Sequence, residues 1–377
     1  MKTNERPTRV LMASTSYPRD IVDWRGIFIR HLVAALARVD GIELRLWAPA
    51  GEVPSGVDAA TLPTEAAWLA RVMNTGGISH LMRHPRLTTL LAPLTLLRML
   101  GAAYRRENTT DVYHINWLQC ALPLPNNRVP ALISVLGNDM KLLRLPMMRS
   151  LLRRVMRKRK VALCPNAEWM QAPLEAAFGD LASVIPVSFG IEPCWYAVER
   201  RPSWERPISL AVTRLTASKL GPLFEWSEPL FRNSNRELHL FGPMQEHVDI
   251  PDWIRYHGPA TPEQLCCEWF PRAVGLITLS QHAEGRPQVM LEAMAAGLPI
   301  IASRTAAHAT IVVDNETGAL CDSPQTFGNA LHAMEDMEIN RNFSAAARRW
   351  AAQTIGTWDD CARRYTDVYR SLLGRDS

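Results

Sequence analysis

The run GLITLSQHAEGRPQVMLEAMAAGLPIIA, residues 275–302, holds a strand, a helix and a second strand in immediate succession. Gly275–Leu279 is a short apolar run with the length and composition of a buried strand. A polar loop follows, and Pro287–Ala296 reads as a helix. Pro287 suits the first helical turn, because the N–H it lacks would have no intrahelical partner there. Gly297-Leu298-Pro299 ends the helix, with glycine at the left-handed position and proline just beyond. Ile300–Ala302 opens the next strand. A helical crossover between two apolar strands is the repeating unit of a parallel sheet.

The same alternation runs outward. Ile208–Val212 and Leu238–Phe241 read as strands of the same sheet. Earlier in the chain, Val10–Ala13, Glu43–Ala48, Val112–Ile115, Ala131–Leu136, Val161–Cys164 and Val184–Val187 read as the strands of another. Helical patterns lie at residues 26–39, 65–73, 87–106 and 146–158, and at 344–373 with a weak interruption at Gly356. Glu192–Pro207, with three prolines, three arginines and no apolar period, reads as a linker. The expected fold class is α/β, with one Rossmann-like domain over residues 1–190 and another over 191–357. The last helix, about 358–377, is expected to return to the first domain. Two such domains facing across a cleft would bind ligands at the carboxyl ends of their strands.

Composition supports this reading. The 377 residues are 47% hydrophobic and 21% charged, which excludes a disordered or collagen-like chain. The net charge is only +5, but it is unevenly spread. Residues 1–200 carry 25 basic and 16 acidic side chains, and residues 201–377 carry 17 and 21. The basic half is the one suited to an anionic surface. The seven cysteines form no C-x-x-C pair and read as free thiols of a reducing compartment. The apolar run Val10–Ala13 is too short for a signal peptide, and Leu90–Leu97 is too short for a membrane span, which needs about 20 residues. A cytoplasmic protein is the default expectation.

Two groups of residues suggest chemistry. Glu284 falls on the strand-to-helix loop of the opening segment, and Glu292 falls inside its helix. The free N–H groups of Gln288 and Val289 at the helix start form an anion site, strengthened by the macrodipole. An anion there with hydroxyls for both carboxylates is a polyhydroxylated phosphate compound. A charged loop leading into a solvated helix face would carry the same spacing. Arg214, just past the strand ISLAV, and Lys219 supply a fork and a point charge for phosphate oxygens, although such pairs are also common on surfaces. No set of His or Asp has metal-ligand spacing, and no D-x-D is present, so no metal and no cofactor are expected.

The ordered runs TRLTASKLG (213–221), LFGPM (240–244), YHGPAT (256–261), LSQHAEGRPQVMLEAMAAGLPIIAS (279–303) and IVVDNETGAL (311–320) resemble glycosyltransferase family 4. The likeness extends to SYPRDIVDWRGIFIRHLVAALA (16–37) and DVYHINWLQ (111–119), and so spans nearly the whole chain. Members are retaining enzymes of the GT-B fold with an E-x7-E signature. The resemblance implies transfer of a sugar from a nucleotide donor, a UDP- or GDP-sugar, that is a substrate and not a cofactor. It implies that Arg214 and Lys219 hold the diphosphate, Glu292 the ribose and Glu284 the donor sugar, with Gly285, Gln288 and Val289 completing the donor site. Gly26 matches the family's glycine-rich loop beside the diphosphate. Glu284, Arg214 and Lys219 are the implied catalytic set: the leaving diphosphate takes the acceptor's proton, and the protein stabilises its charge. The chain departs from the pattern twice. Leu136-Gly137-Asn138-Asp139 lacks the family's histidine, and Thr305-Ala306-Ala307-His308 replaces its glycine pair.

The acceptor is expected on the basic half. Residues 141–160 hold nine basic side chains and no acid, with Leu145, Met148, Leu151, Leu152, Val155 and Met156 at helical spacing. Residues 79–106 add five arginines and no acid. Such segments suit anionic lipid headgroups, and equally a core-facing helix with a solvated cationic face. Nucleic acid is not expected, because no aromatic residues interleave the basic run. A glycan or lipid-linked acceptor in surface polysaccharide synthesis, met at the inner face of the plasma membrane, fits the lipid reading. Asn116, Trp117 and Asp139 are the candidates to touch it. His114, His257 and His282 read as structural. A nucleotide-sugar epimerase of the same fold, or an inactive binding scaffold, are the alternatives; a nicotinamide oxidoreductase is disfavoured because no G-x-G-x-x-G follows a strand.

Overall fold

A computed structural model describes residues 6–20, 23, 25–75, 91–282 and 284–375. The chain divides into two units, residues 1–189 with 358–377, and residues 190–357. The first is built on β1 (Thr8–Ala13), α1 (Ile27–Ala37), β2 (Ile42–Trp47), β3 (Val57–Ala59), α2 (Pro63–Asn74), α3 (Ala92–Arg106), β4 (Val112–Asn116), β5 (Ala131–Val135), α4 (Met148–Met156), β6 (Val161–Pro165), α5 (Gln171–Phe178) and β7 (Ser183–Val184). These strands form one parallel sheet in the order β3-β2-β1-β4-β5-β6-β7. Every residue of β4, β5 and β6 is buried, as expected for central strands covered on both faces. Alternate residues feed separate cores: Leu11, Ile115 and Ile133 on one side, Val10, Val112 and Leu132 on the other.

The second unit contains α6 (Pro193–Tyr196), β8 (Ile208–Val212), α7 (Ala217–Leu220), α8 (Leu223–Phe231), β9 (Glu237–Phe241), β10 (Ile254–Tyr256), β11 (Gly275–Thr278), α9 (Gln288–Ala295), β12 (Ile300–Ser303), α10 (Ala306–Ala309), β13 (Gly318–Cys321), α11 (Pro324–Glu335) and α12 (Met337–Trp350). Its strands form a parallel sheet in the order β10-β9-β8-β11-β12-β13. The last helix, α13 (Trp358–Leu373), belongs to the first unit. Its buried face, including Cys361, Tyr365, Tyr369 and Leu372, packs with α1, and Trp358 stacks on His31 at 5.5 Å. His114 is enclosed there, its Nε2 2.9 Å from Ser134 Oγ and its Nδ1 2.5 Å from the Tyr369 hydroxyl. Burial pushes its pKa down to about 3, so it stays neutral as a packing residue.

Several elements differ from the sequence reading. Residues 192–207 are not a linker. Trp195 and Val198 are buried in the core of the second unit, Trp195 against Phe270 at 5.0 Å. Arg200 ties the segment down by donating to the carbonyls of Gly297 (2.8 Å) and Ala273 (2.6 Å). Prolines and arginines hide these apolar anchors from a composition count. Pro287 sits just before α9 in an extended conformation, not inside the first turn. Helix α5 and strand β3 carry too weak a pattern to be read, and the helix expected at 146–158 is trimmed to α4. Residues 79–90 of the basic segment 79–106 lie outside the described residues.

Candidate donor site

The second sheet reverses its order between β8 and β11, the switch point where the carboxyl ends of parallel strands leave a crevice. Arg214 follows β8, and Lys219 lies on α7, whose N-cap Thr216 accepts from the Lys219 N–H through Oγ1 (3.3 Å). The chain then turns at Gly221, whose φ is 54° and where a Cβ would sit 2.1 Å from the Leu279 carbonyl oxygen. Only glycine lets α7 approach the end of β11 this closely.

That approach brings Lys219 onto Glu284. The ammonium forms an ion pair with Glu284 Oε1, and the two side chains are only 12% and 14% exposed. Ser280 Oγ donates to the same oxygen at 3.2 Å. Oε2 therefore makes no hydrogen bond among the described residues. Burial holds the Lys219 pKa below its usual range, Glu284 works against that shift, and the nearby Arg214 adds to it. Arg214 Nη1 donates to Gln245 Oε1 at 3.3 Å.

Beyond the loop, α9 begins at Gln288. Its first N–H groups, those of Gln288 and Val289, precede any intrahelical bond. The Gln288 side chain donates to the Gly190 carbonyl at 2.8 Å, while its buried Oε1 has no hydrogen-bond partner among the described residues. Glu292 lies one turn on and is partly buried. Burial, with Glu192 adding to it, pushes its carboxyl up to about 7. It makes no hydrogen bond among the described residues, so its acceptor capacity is unspent. Gly285 lies on the Glu284 loop. Gly26, in the other unit, is the N-cap of α1 at φ 74°; a Cβ there would come 2.6 Å from Ser16 Oγ.

The acceptor residues are placed differently from the sequence reading. Asn116 is fully buried and donates to the Ala13 carbonyl at 3.2 Å. Asp139 is also buried; Oδ1 accepts from the Leu118 N–H (3.0 Å) and Oδ2 from the Leu136 N–H (2.6 Å). Buried N–H groups of the strand-end loops thus engage both oxygens of Asp139, whereas the buried Oδ1 of Asn116 has no hydrogen-bond partner among the described residues. Trp117 is partly buried against the first unit's core. Sequence reasoning missed Ser280, Ser303 and His308, which back the Lys219–Glu284 pair; no motif marks a residue that faces a loop from behind. Among the described residues no group of three or more His, Cys, Asp or Glu could hold a metal ion, and no helix is long and apolar enough to cross a membrane.

Residues 270–350 match the family of glycosyl transferases group 1. The match takes in Glu284 and Glu292 and leaves out Arg214 and Lys219. Over nearly its full length the chain is 24% identical to the GDP-mannose-dependent alpha-(1-6)-phosphatidylinositol monomannoside mannosyltransferase of Mycobacterium tuberculosis, covering 96% of this chain and 98% of that one. The segment that carries both glutamates is thus similar to the group 1 glycosyl transferases. The chain is also 32% identical over 129 residues to D-inositol 3-phosphate glycosyltransferase of Streptomyces griseus. That match spans 33% of the chain and only 26% of the relative's length. Anabaena HepE, solved in complex with UDP, aligns over 97% of the chain and 100% of its own at a TM-score of 0.68 and 13% identity. That likeness shows the fold, which is GT-B.

Proposed function

We propose that the chain is a retaining glycosyltransferase that moves a hexose from a UDP- or GDP-sugar to a lipid-linked glycan at an anionic membrane surface. The observation that carries this reading is the buried Lys219–Glu284 pair at the switch point, with Glu284 Oε2 unspent. Lys219 and Arg214 would neutralise the leaving diphosphate, with the N–H groups of Gln288 and Val289 aimed at its oxygens. Glu292 would accept from the ribose hydroxyls and Glu284 from the sugar. No side chain need act as acid or base, because the leaving phosphate takes the acceptor's proton on the face it departs from. This favours retention. The GDP-mannose and UDP named for the relatives support a nucleoside diphosphate donor.

The phosphatidylinositol monomannoside named for the mycobacterial relative supports a lipid-linked acceptor, and we propose a place in surface polysaccharide synthesis on that ground. The surface of the first unit supports a lipid-linked acceptor as well. Helix α4 buries Leu152 and Met156, so part of its apolar stripe is core. Met147 (72% exposed), Leu145 and Leu151 remain outside among Arg144, Arg149 and Arg154. Leu91 and Leu94 are exposed at the start of α3. Exposed apolar side chains set among cations suit a bilayer rich in anionic lipid, at about 1 kcal/mol per basic residue. The function is tested by thermal shift with UDP, GDP, ADP, CMP and their sugar conjugates, Glu292→Ala in parallel. One diphosphate should raise Tm in the wild type and much less in the variant; no shift with any nucleotide refutes the donor. Sedimentation with neutral and anionic vesicles tests the surface, and equal partitioning refutes it.

A further inference from the structure

We infer that His308 is a positioning residue that fixes Glu284, and through it sets how firmly the sugar half of the donor is held. The inference rests on the donor reading above. His308 lies on the short helix α10 and is 1% exposed. Its Nδ1 lies 2.9 Å from the Ser303 carbonyl oxygen and 3.1 Å from Ser303 Oγ. A carbonyl oxygen can only accept, so Nδ1 carries the hydrogen. Burial holds the imidazole below its usual pKa and therefore neutral, with no added cation beside Lys219.

The directions of the remaining bonds follow. Ser303 Oγ donates its own hydrogen to the Ser280 carbonyl at 2.5 Å. Ser280 Oγ accepts from the His282 N–H at 3.2 Å and donates to Glu284 Oε1 at 3.2 Å. Every donor in the chain from His308 to Glu284 has one assignment. Ser303 ends β12 and Ser280 follows β11, and these strands are paired neighbours. The relay thus clamps the two strand ends together and holds the start of the loop that carries Glu284. Glu284 itself lies outside the strands and helices, with no backbone–backbone hydrogen bond among the described residues. With Oε1 taken by Lys219 and Ser280, the clamp decides where Oε2 is presented. A catalytic or binding group on a loop needs such support to keep its geometry.

The test compares bare nucleotides with sugar conjugates. Dissociation constants for UDP, UDP-glucose, GDP and GDP-mannose are measured calorimetrically on the full chain, wild type and variants, with Tm recorded for each. His308→Leu keeps the volume and removes the donor; His308→Asn keeps a donor where Nδ1–H was. In the wild type the conjugate should bind more tightly than its parent diphosphate. His308→Leu should shrink that margin about fivefold, as expected for losing one neutral hydrogen bond behind the carboxylate. Bare-nucleotide affinity should hold, and His308→Asn should restore the margin. Ser303→Ala interrupts the relay without touching the helix, so it carries the test if His308→Leu fails to fold. An equal loss for UDP and UDP-glucose, or an unchanged margin in a folded variant, overturns the relay. A wild type that binds no nucleotide overturns the donor reading itself, and the relay's role with it.

Discussion

Replacing Glu284 by glutamine should tighten the binding of bare nucleoside diphosphate while it slows sugar transfer. In the ligand-free protein Glu284 neutralises Lys219, and both groups are largely shielded from water. A diphosphate that recruits Lys219 must do so beside a fixed carboxylate of its own sign. Two unit charges about 4 Å apart interact by about 4 kcal/mol at an effective dielectric of about 20. The residual exposure of Glu284 and the partial transfer of Lys219 reduce this to about 1–2 kcal/mol, or about fivefold to thirtyfold in Kd. Glutamine removes the charge, keeps an oxygen that can accept from Ser280, and leaves the Lys219 cation free for phosphate. The donor sugar loses its carboxylate partner, so UDP-glucose or GDP-mannose should gain much less than UDP or GDP. Titration calorimetry at two salt concentrations is the assay, and the advantage of the variant should narrow as salt rises. A folded Glu284→Gln that binds the bare diphosphate more weakly would refute the reasoning. Glu284 would then be holding Lys219 in its binding pose rather than competing for it.

Lys219→Ala should lower turnover by about 10²–10³, the usual loss on deleting one preorganised contact to developing charge, and this is read from initial rates of nucleotide release. Its circular dichroism should stay native; full activity in that folded variant would remove Lys219 from the site. Glu292 holds its proton to about pH 7 when folded, against about 4.5 when unfolded. The folded state therefore binds the extra proton between those values, and stability falls as pH rises through that window. Glu292→Gln should flatten the fall of Tm between pH 5 and pH 8, and a slope identical to wild type would contradict the assignment. Asp139→Ala leaves the buried N–H groups of Leu118 and Leu136 without acceptors and should cost about 3 kcal/mol in urea unfolding. A variant of unchanged stability that lost only acceptor affinity would return Asp139 to the acceptor site.

Much of the fold is legible because buried parallel strands are written as short apolar runs. Strands β1, β4, β8 and β11 could each be read to within a few residues. The breaks of the last helical stretch were equally visible, since Gly356 at φ 72° separates the π-type turn after α12 from α13. What was lost had its signal diluted. In residues 192–207 three prolines and three arginines mask Trp195 and Val198, two side chains that anchor the segment to a core. A linker and a strap with two apolar anchors have nearly the same composition. They differ only in what the anchors meet.

The two switch points show the same limit at the level of the site. In the first sheet the order reverses between β1 and β4, and in the second between β8 and β11. In both, polar residues follow the strand ends, and the sequence presents them as equivalent candidates. Their fates differ because the backbone has first claim on buried acceptors. Loops at the ends of β4 and β5 leave the N–H groups of Leu118 and Leu136 pointing inward, and Asp139 is drawn in to satisfy both. At the end of β11 that demand is met differently: Ser280 Oγ takes the His282 N–H, and Ser303 Oγ bonds the Ser280 carbonyl. Glu284 keeps an oxygen for a ligand because two serines do the work a carboxylate does in the other unit. A strand-end carboxylate is thus a ligand group only where something cheaper caps the loop, and spacing along the chain does not record which loop has been capped.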